Sequence, residues 1–146
     1  MLKGIPAILS PELLKVLMEM GHGDELVIGD GNFPAASMAK RLIRADGHPV
    51  PELLDAILAL FPLDTFVDRP VSVMQVVDPK AARPPIWTEF ERILTRGEPD
   101  FAGFEEVERF AFYDRARSAY AILATGETAL YANIILKKGV VVEPKP

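Results

Sequence analysis

The sequence predicts an α/β fold with a mostly parallel sheet. Three observations carry that reading. Helix-like and strand-like apolar patterns alternate along the chain. Val71–Val77 is β-rich and almost wholly apolar, as strands covered on both faces are, which predicts a central strand. The 146 residues show no internal repeat and suffice for one core, so residues 1–146 are read as a single domain.

The elements follow in order. Ser10–Pro11–Glu12 starts a helix: a hydroxyl that caps an early amide, a proline suited to the first helical position, and an acid at the positive end of the dipole. Leu13, Leu14, Leu17 and Met20, with Val16 and Met18 beside them, form its apolar face. Gly21 and Gly23 stop it, and Glu25–Gly29 reads as the first core strand. Phe33–Ser37 is a loop running into a short helical turn. Leu42–Ala45 is a second strand ending in the turn Asp46–Gly47. Pro51–Glu52 opens a helix with the stripe Leu53, Leu54, Ile57, Leu58 and Phe61, closed by Pro62.

Beyond Val71–Val77 lies a proline-rich connection, Pro79–Pro85. A helix spaced by Ile86, Phe90, Ile93 and Leu94 then ends at Gly97. Glu98–Gly103 is a loop, Arg109–Ser118 favours a helix, and Tyr120–Thr125 and Asn133–Lys137 read as strands joined through the turn at Gly126–Glu127. Val140–Pro146 is expected to add at most a short strand, limited by Pro144 and Pro146. The thirteen prolines are spread out, punctuating short elements rather than forming one low-complexity run.

Composition narrows the function. A formal net charge of -5 argues against nucleic acid, whose phosphates need a basic face. With no cysteine, disulfides, thiol catalysis and cysteine metal sites are excluded. Met1–Pro6 reads as neither leader nor anchor, and no run reaches the roughly 18 apolar residues a membrane helix requires, so a cytoplasmic protein without membrane contact is expected. The two histidines, His22 and His48, show no metal-ligand spacing, and no metal site is expected. Gly-x-Ser-x-Gly is absent, Gly29-x-Gly31 lacks the third glycine of a dinucleotide loop, and Gly126–Glu127–Thr128 is not a P-loop.

Acid–base chemistry remains. His22 is the side chain of the stretch Gly21–Ala35 that exchanges protons near neutral pH; it reads equally as an exposed turn residue. Asp30 stands at the C-terminal end of a strand, where α/β sheets place ligands. A carboxylate there binds hydroxyls or orients an imidazole, or simply bonds its own turn. In Glu108–Arg115 a helix puts Arg109 and Tyr113 on one face, offering a guanidinium and a phenol. The competing reading makes Phe110 and Phe112 core and Arg109 a solvated charge. Tyr131–Ala132–Asn133, at the start of an apolar strand, offers a hydroxyl and an amide, or is only a turn.

A resemblance shifts these balances. Pro11–Leu17 followed by Glu19–Glu25 resembles the N-terminal signature of fucose mutarotases, as do Phe33–Pro34–Ala35, Ile43–Gly47, Glu108–Tyr113, Thr125–Glu127 and Tyr131–Val140. The blocks run nearly end to end in order and place the chain close to the family of fucose mutarotases and D-ribose pyranases. The resemblance implies a compact three-layer α/β/α domain assembled as a homo-oligomer, a ring-like decamer with sites near subunit contacts. It also implies an isomerase, needing no cofactor, that interconverts the α and β anomers of a free monosaccharide, with L-fucose favoured. D-ribose pyranase activity and a non-catalytic sugar-binding oligomer are the alternatives. By the family pattern His22 matches the catalytic acid, and Asp30, Arg109, Tyr131, Ala132 and Asn133 match substrate-binding positions. Tyr113 would line the pocket, Asp30 would orient His22 or bind a hydroxyl, and Phe33 or Phe112 would face the sugar's apolar side. Asn32 and Ala132 depart from the fucose pattern, and Asp78–Pro85 has no clear counterpart.

Overall fold

A computed structural model describes residues 1–146. The elements are α1 (Pro11–Glu19), β1 (Glu25–Gly29), α2 (Ala35–Met38), β2 (Leu42–Ala45), α3 (Val50–Leu58), β3 (Val71–Met74), α4 (Pro85–Gly97), β4 (Glu105–Val107), α5 (Arg109–Ser118), β5 (Ala121–Thr125) and β6 (Ile134–Lys137). The six strands form one sheet in the order β2-β5-β1-β6-β3-β4. β1–β5, β2–β5 and β3–β4 are parallel, and β6 runs antiparallel between β1 and β3.

Strand alternation builds the three layers. On one face Leu26, Ile28, Val71, Val73, Ala121, Leu123, Ile134 and Leu136 join α1, α3 and α4 in a core of 27 buried residues. On the other, Val27, Met74, Ile122, Ala124 and Ile135 meet α2 and α5 in a smaller core of 11. No helix is long and apolar enough to cross a membrane.

Local signals hold where they were strongest. Ser10 Oγ accepts from the Leu13 amide at 3.2 Å with Pro11 at the first helical position. Glu108 caps α5 through the amides of Phe110 and Ala111, which makes Arg109 the first residue of that helix. Four expectations are corrected. The apolar run from Val71 leaves the sheet after Met74, one strand in from the edge rather than at the centre, because its partner β4 ends at Val107; the Gln75 amide donates to Val107 O as the last rung. β4 itself was not foreseen. Val140–Val142 forms no strand and lies exposed. Met18, placed beside the apolar face of α1, points to solvent.

The two ends of the sheet are built from different segments. The C-terminal ends of β1, β3, β4 and β5 lie at one, with the start of β6. At the other, β6 ends against the turn before β1: Gly23 N–H donates to Lys138 O at 2.8 Å and Lys138 N–H to Asp24 O at 2.9 Å. The segment after α3 joins there, with Asp64 N–H donating to Lys137 O and Gly139 N–H to Pro62 O. A Cβ at Gly139 would stand 2.3 Å from the Leu63 carbonyl oxygen, so only glycine permits this approach.

Candidate active site

Asp30 leaves β1 at the first end and is buried. Its amide donates to Asn133 Oδ1 at 2.8 Å, and its Oδ1 accepts from the Asn32 amide at 2.9 Å. Burial raises the Asp30 carboxyl above its usual range, while the amides of Asn32, Phe33 and Ala132 and the Asn133 side chain pull it back. Asp30, Ala132 and Asn133 therefore form one cluster across the β1–β6 boundary.

Glu127 braces that cluster. Its buried carboxylate accepts from the amides of Val50, Thr128 and Ala129, and its carbonyl accepts from Gly31 N–H at 2.8 Å. Thr125 Oγ1 donates to Gly29 O and accepts from the Glu127 amide. The loops after β1 and after β5 are thus tied to the start of α3.

Tyr131 flanks the cluster, its phenol oxygen accepting from the Val77 amide at 3.2 Å; the phenol hydrogen is left to donate. An aromatic row runs on from the Asp30 loop: Phe33 lies 5.9 Å from Tyr113 and Tyr113 6.5 Å from Phe110, and Arg109 Cζ sits 4.6 Å over the Phe110 ring. Arg109 and Val77 line one cavity with Gln75 and Glu108. Five substrate-binding expectations, Asp30, Arg109, Tyr131, Ala132 and Asn133, together with the pocket-lining Tyr113, thus lie at one end of the sheet. Phe112 is fully buried and cannot face a ligand, whereas Phe110, read as core in the competing account, is largely exposed.

His22 lies elsewhere. It precedes β1, whose five residues at about 3.3 Å each separate it from Asp30 by at least ~16 Å. Asp30 therefore does not orient His22 within the chain. Asp64 does so instead, 3.0 Å from His22 Nε2. A carboxylate only accepts, so Nε2 carries the hydrogen and Nδ1 is the nitrogen left for proton exchange. The Phe66 amide donates to the same Asp64 oxygen, and the Phe66 ring packs 5.1 Å from the imidazole. Burial pushes the Asp64 carboxyl up, but the Phe66 amide and His22 outweigh it and hold it below its ordinary value. No sequence signal singled out Asp64; the pair spans 42 positions and is made by the meeting of the α3–β3 connection with β6.

These two carboxylates have opposite linkage. Asp64, depressed in the fold, contributes stability present above about pH 4 and lost as pH falls through its lowered value. Asp30, raised, contributes stability present at acid pH and lost as pH rises through its raised value. In urea titrations from pH 2 to 7, Asp64→Asn is expected to flatten the acid loss of stability. Asp30→Asn is expected to steepen it and to leave the protein at least as stable at pH 7. Curves of the same shape for both variants would contradict these assignments.

The α/β domain thus presents a buried acid, an amide, a phenol and a guanidinium at one sheet end and an acid-held imidazole at the other, groups whose chemistry suits hydroxyl binding and proton exchange. The chain belongs to the RbsD / FucU transport protein family, whose model matches residues 3–141. It is 54% identical over 145 residues to the human (Homo sapiens) protein named fucose mutarotase, covering 95% of this chain and 94% of that one. It is 51% identical over 140 residues to an L-fucose mutarotase of Actinobacillus pleuropneumoniae, covering 96% and 97%. Its fold matches the crystal structure of the Streptococcus pneumoniae fucose mutarotase in complex with L-fucose with a TM-score of 0.92, at 54% identity over 97% of this chain and 100% of that chain.

Proposed function

We propose that this protein is an L-fucose mutarotase, an isomerase that interconverts the α and β anomers of the free sugar. The observation that carries the reading is the match, in fold and in more than half of all aligned residues, to a mutarotase crystallised with L-fucose. The polar cluster at the Asp30 end supports it with the acceptors and donors that a ring of hydroxyls needs.

The reaction requires only proton transfers. The O1–H and C1–O5 bonds break as C1=O1 and O5–H form; rotation about C1–C2 turns the other aldehyde face to O5, and closure reverses the transfers. His22 acts as the shuttle: its Nδ1 accepts the O1 proton and delivers it to O5, and closure runs the same transfers backwards, with Asp64 fixing the tautomer. Asp30 and Asn133 hold hydroxyls, the Tyr131 phenol donates to another, and Arg109 grips the sugar from the rim.

Because the two groups of residues stand at opposite ends of the sheet, the working site is assigned to two copies of the chain. The His22 end of one meets the Asp30 end of its neighbour. Exposed apolar side chains at both ends support this contact: Met18, Phe66, Val140 and Val141 near His22, and Val77, Phe110 and Leu130 near Arg109 and Tyr131. A head-to-tail contact whose rotation closes builds a ring, the assembly that the resemblance implies as a decamer.

The test is exchange NMR on equilibrated L-fucose with catalytic amounts of protein. Anomer exchange well above the buffer rate is expected. A rate equal to buffer for L-fucose would overturn the reading, and acceleration of D-ribose alone would replace it with pyranase activity.

A further inference from the structure

Tyr131 is the one non-glycine residue with positive φ, at 56°, a left-handed conformation that costs energy in an aromatic residue and persists only where the surroundings impose it. Two hydrogen bonds hold this residue, one from the connection that leaves β3 and one from the first turn of α4. The Val77 amide donates to the phenol oxygen at 3.2 Å, and the Trp87 indole Nε1–H donates to the Tyr131 carbonyl at 2.9 Å. Trp87 is buried in the first turn of α4, edge-on to Phe104 at 6.1 Å, with the Arg83 guanidinium 5.5 Å from its ring. Its indole is a donor only, and the Tyr131 carbonyl is its acceptor.

We propose that Trp87 is a positioning residue for sugar recognition: its indole N–H clamps the strained Tyr131 peptide and thereby sets where Ala132 and Asn133 stand against Asp30. The connection between β3 and α4 thus carries Val77 and leads directly into Trp87, so both contacts on Tyr131 come from one stretch of chain. The clamp touches no reacting atom. Its loss loosens ground-state and transition-state binding alike, so KM rises with kcat little changed.

The inference rests on the Tyr131–Asn133 segment being the sugar-binding edge, and the test separates the two. Trp87→Phe keeps an aromatic ring and removes the donor. In the sugar-free protein, amide hydrogen exchange at Ala132 and Asn133 is expected to quicken in the variant while exchange in β1 and β5 stays as in wild type. For L-fucose, KM is expected to rise roughly 3–10-fold with kcat within about twofold. Trp87 is the only tryptophan, so saturating L-fucose should also shift the single indole N–H resonance of the unaltered protein. This arm does not depend on how the variant folds. Unchanged exchange at Ala132 and Asn133 in Trp87→Phe overturns the clamp, as does an indole resonance that ignores L-fucose shown to bind by calorimetry. If wild type neither binds nor turns over L-fucose, the mutarotase reading falls, and faster exchange in the variant still upholds the clamp.

Discussion

His22→Ala is expected to slow L-fucose anomer exchange by roughly 10²–10⁴-fold, the range for loss of a general acid. Sugar affinity should change little, because the groups proposed to hold hydroxyls stand on the Asp30 side. The fold should tolerate the change. The His22 side chain is 45% exposed, and Asp64 keeps its bond from the Phe66 amide when the imidazole is gone. Asp64→Asn provides a graded comparison. Asparagine can present its amide hydrogen instead of an acceptor to Nε2, which favours the wrong tautomer, so its rate should fall between wild type and His22→Ala. Exchange NMR gives the rates and calorimetry the affinities. A His22→Ala protein that binds L-fucose and exchanges its anomers at the wild-type rate would remove the imidazole from the mechanism.

Mixing two inactive variants should restore activity. If His22 and Asn133 of one chain serve different sites, His22→Ala and Asn133→Ala each disable every site of their own oligomer. Unfolding and refolding them together makes mixed rings in which about a quarter of the contacts pair an intact His22 end with an intact Asn133 end. Exchange activity near a quarter of wild type is expected from the mixture, against almost none from either variant alone. Within one chain β1 keeps the two ends apart, and no side-chain rotation carries His22 along it to Asp30. A mixture as inactive as its components, with hetero-oligomers shown by mass spectrometry, would overturn the two-copy site.

How much of this was legible depends on the distance over which each feature is encoded. The start of α1 was readable from Ser10–Pro11–Glu12 because a cap and the amide it satisfies are three residues apart. The bounds of β1 and β2 were readable from apolar stretches closed by glycine turns. β4 was not: Glu105 and Glu106 are exposed, and the strand exists through its rungs to β3. Nor was the direction of β6, since an apolar run has the same pattern whichever way its neighbours run. Val71–Val77 misled for a related reason: apolar character continued past the point where a partner strand was available.

The candidate site divides in the same way. Asp30, Arg109, Tyr113 and Tyr131–Asn133 could be named from residue type and position at strand or helix ends, helped by the family resemblance. Their clustering at one end of the sheet follows from parallel β1, β3 and β4 with β6 reversed between them. The alternation of helix and strand, the caps and turns, and the inventory of acid, imidazole, phenol and amide were written in the residues themselves, because each is a property of a residue or of a few neighbours. Long-range packing settled that Asp64 rather than Asp30 holds His22, that Trp87 holds Tyr131, and that His22 stands at the opposite end of the sheet from Asp30. Those pairings join residues 42 and 44 positions apart and separate ones only eight apart in sequence (His22 and Asp30), because an extended strand drives near neighbours to opposite ends while sheet pairing brings distant segments together.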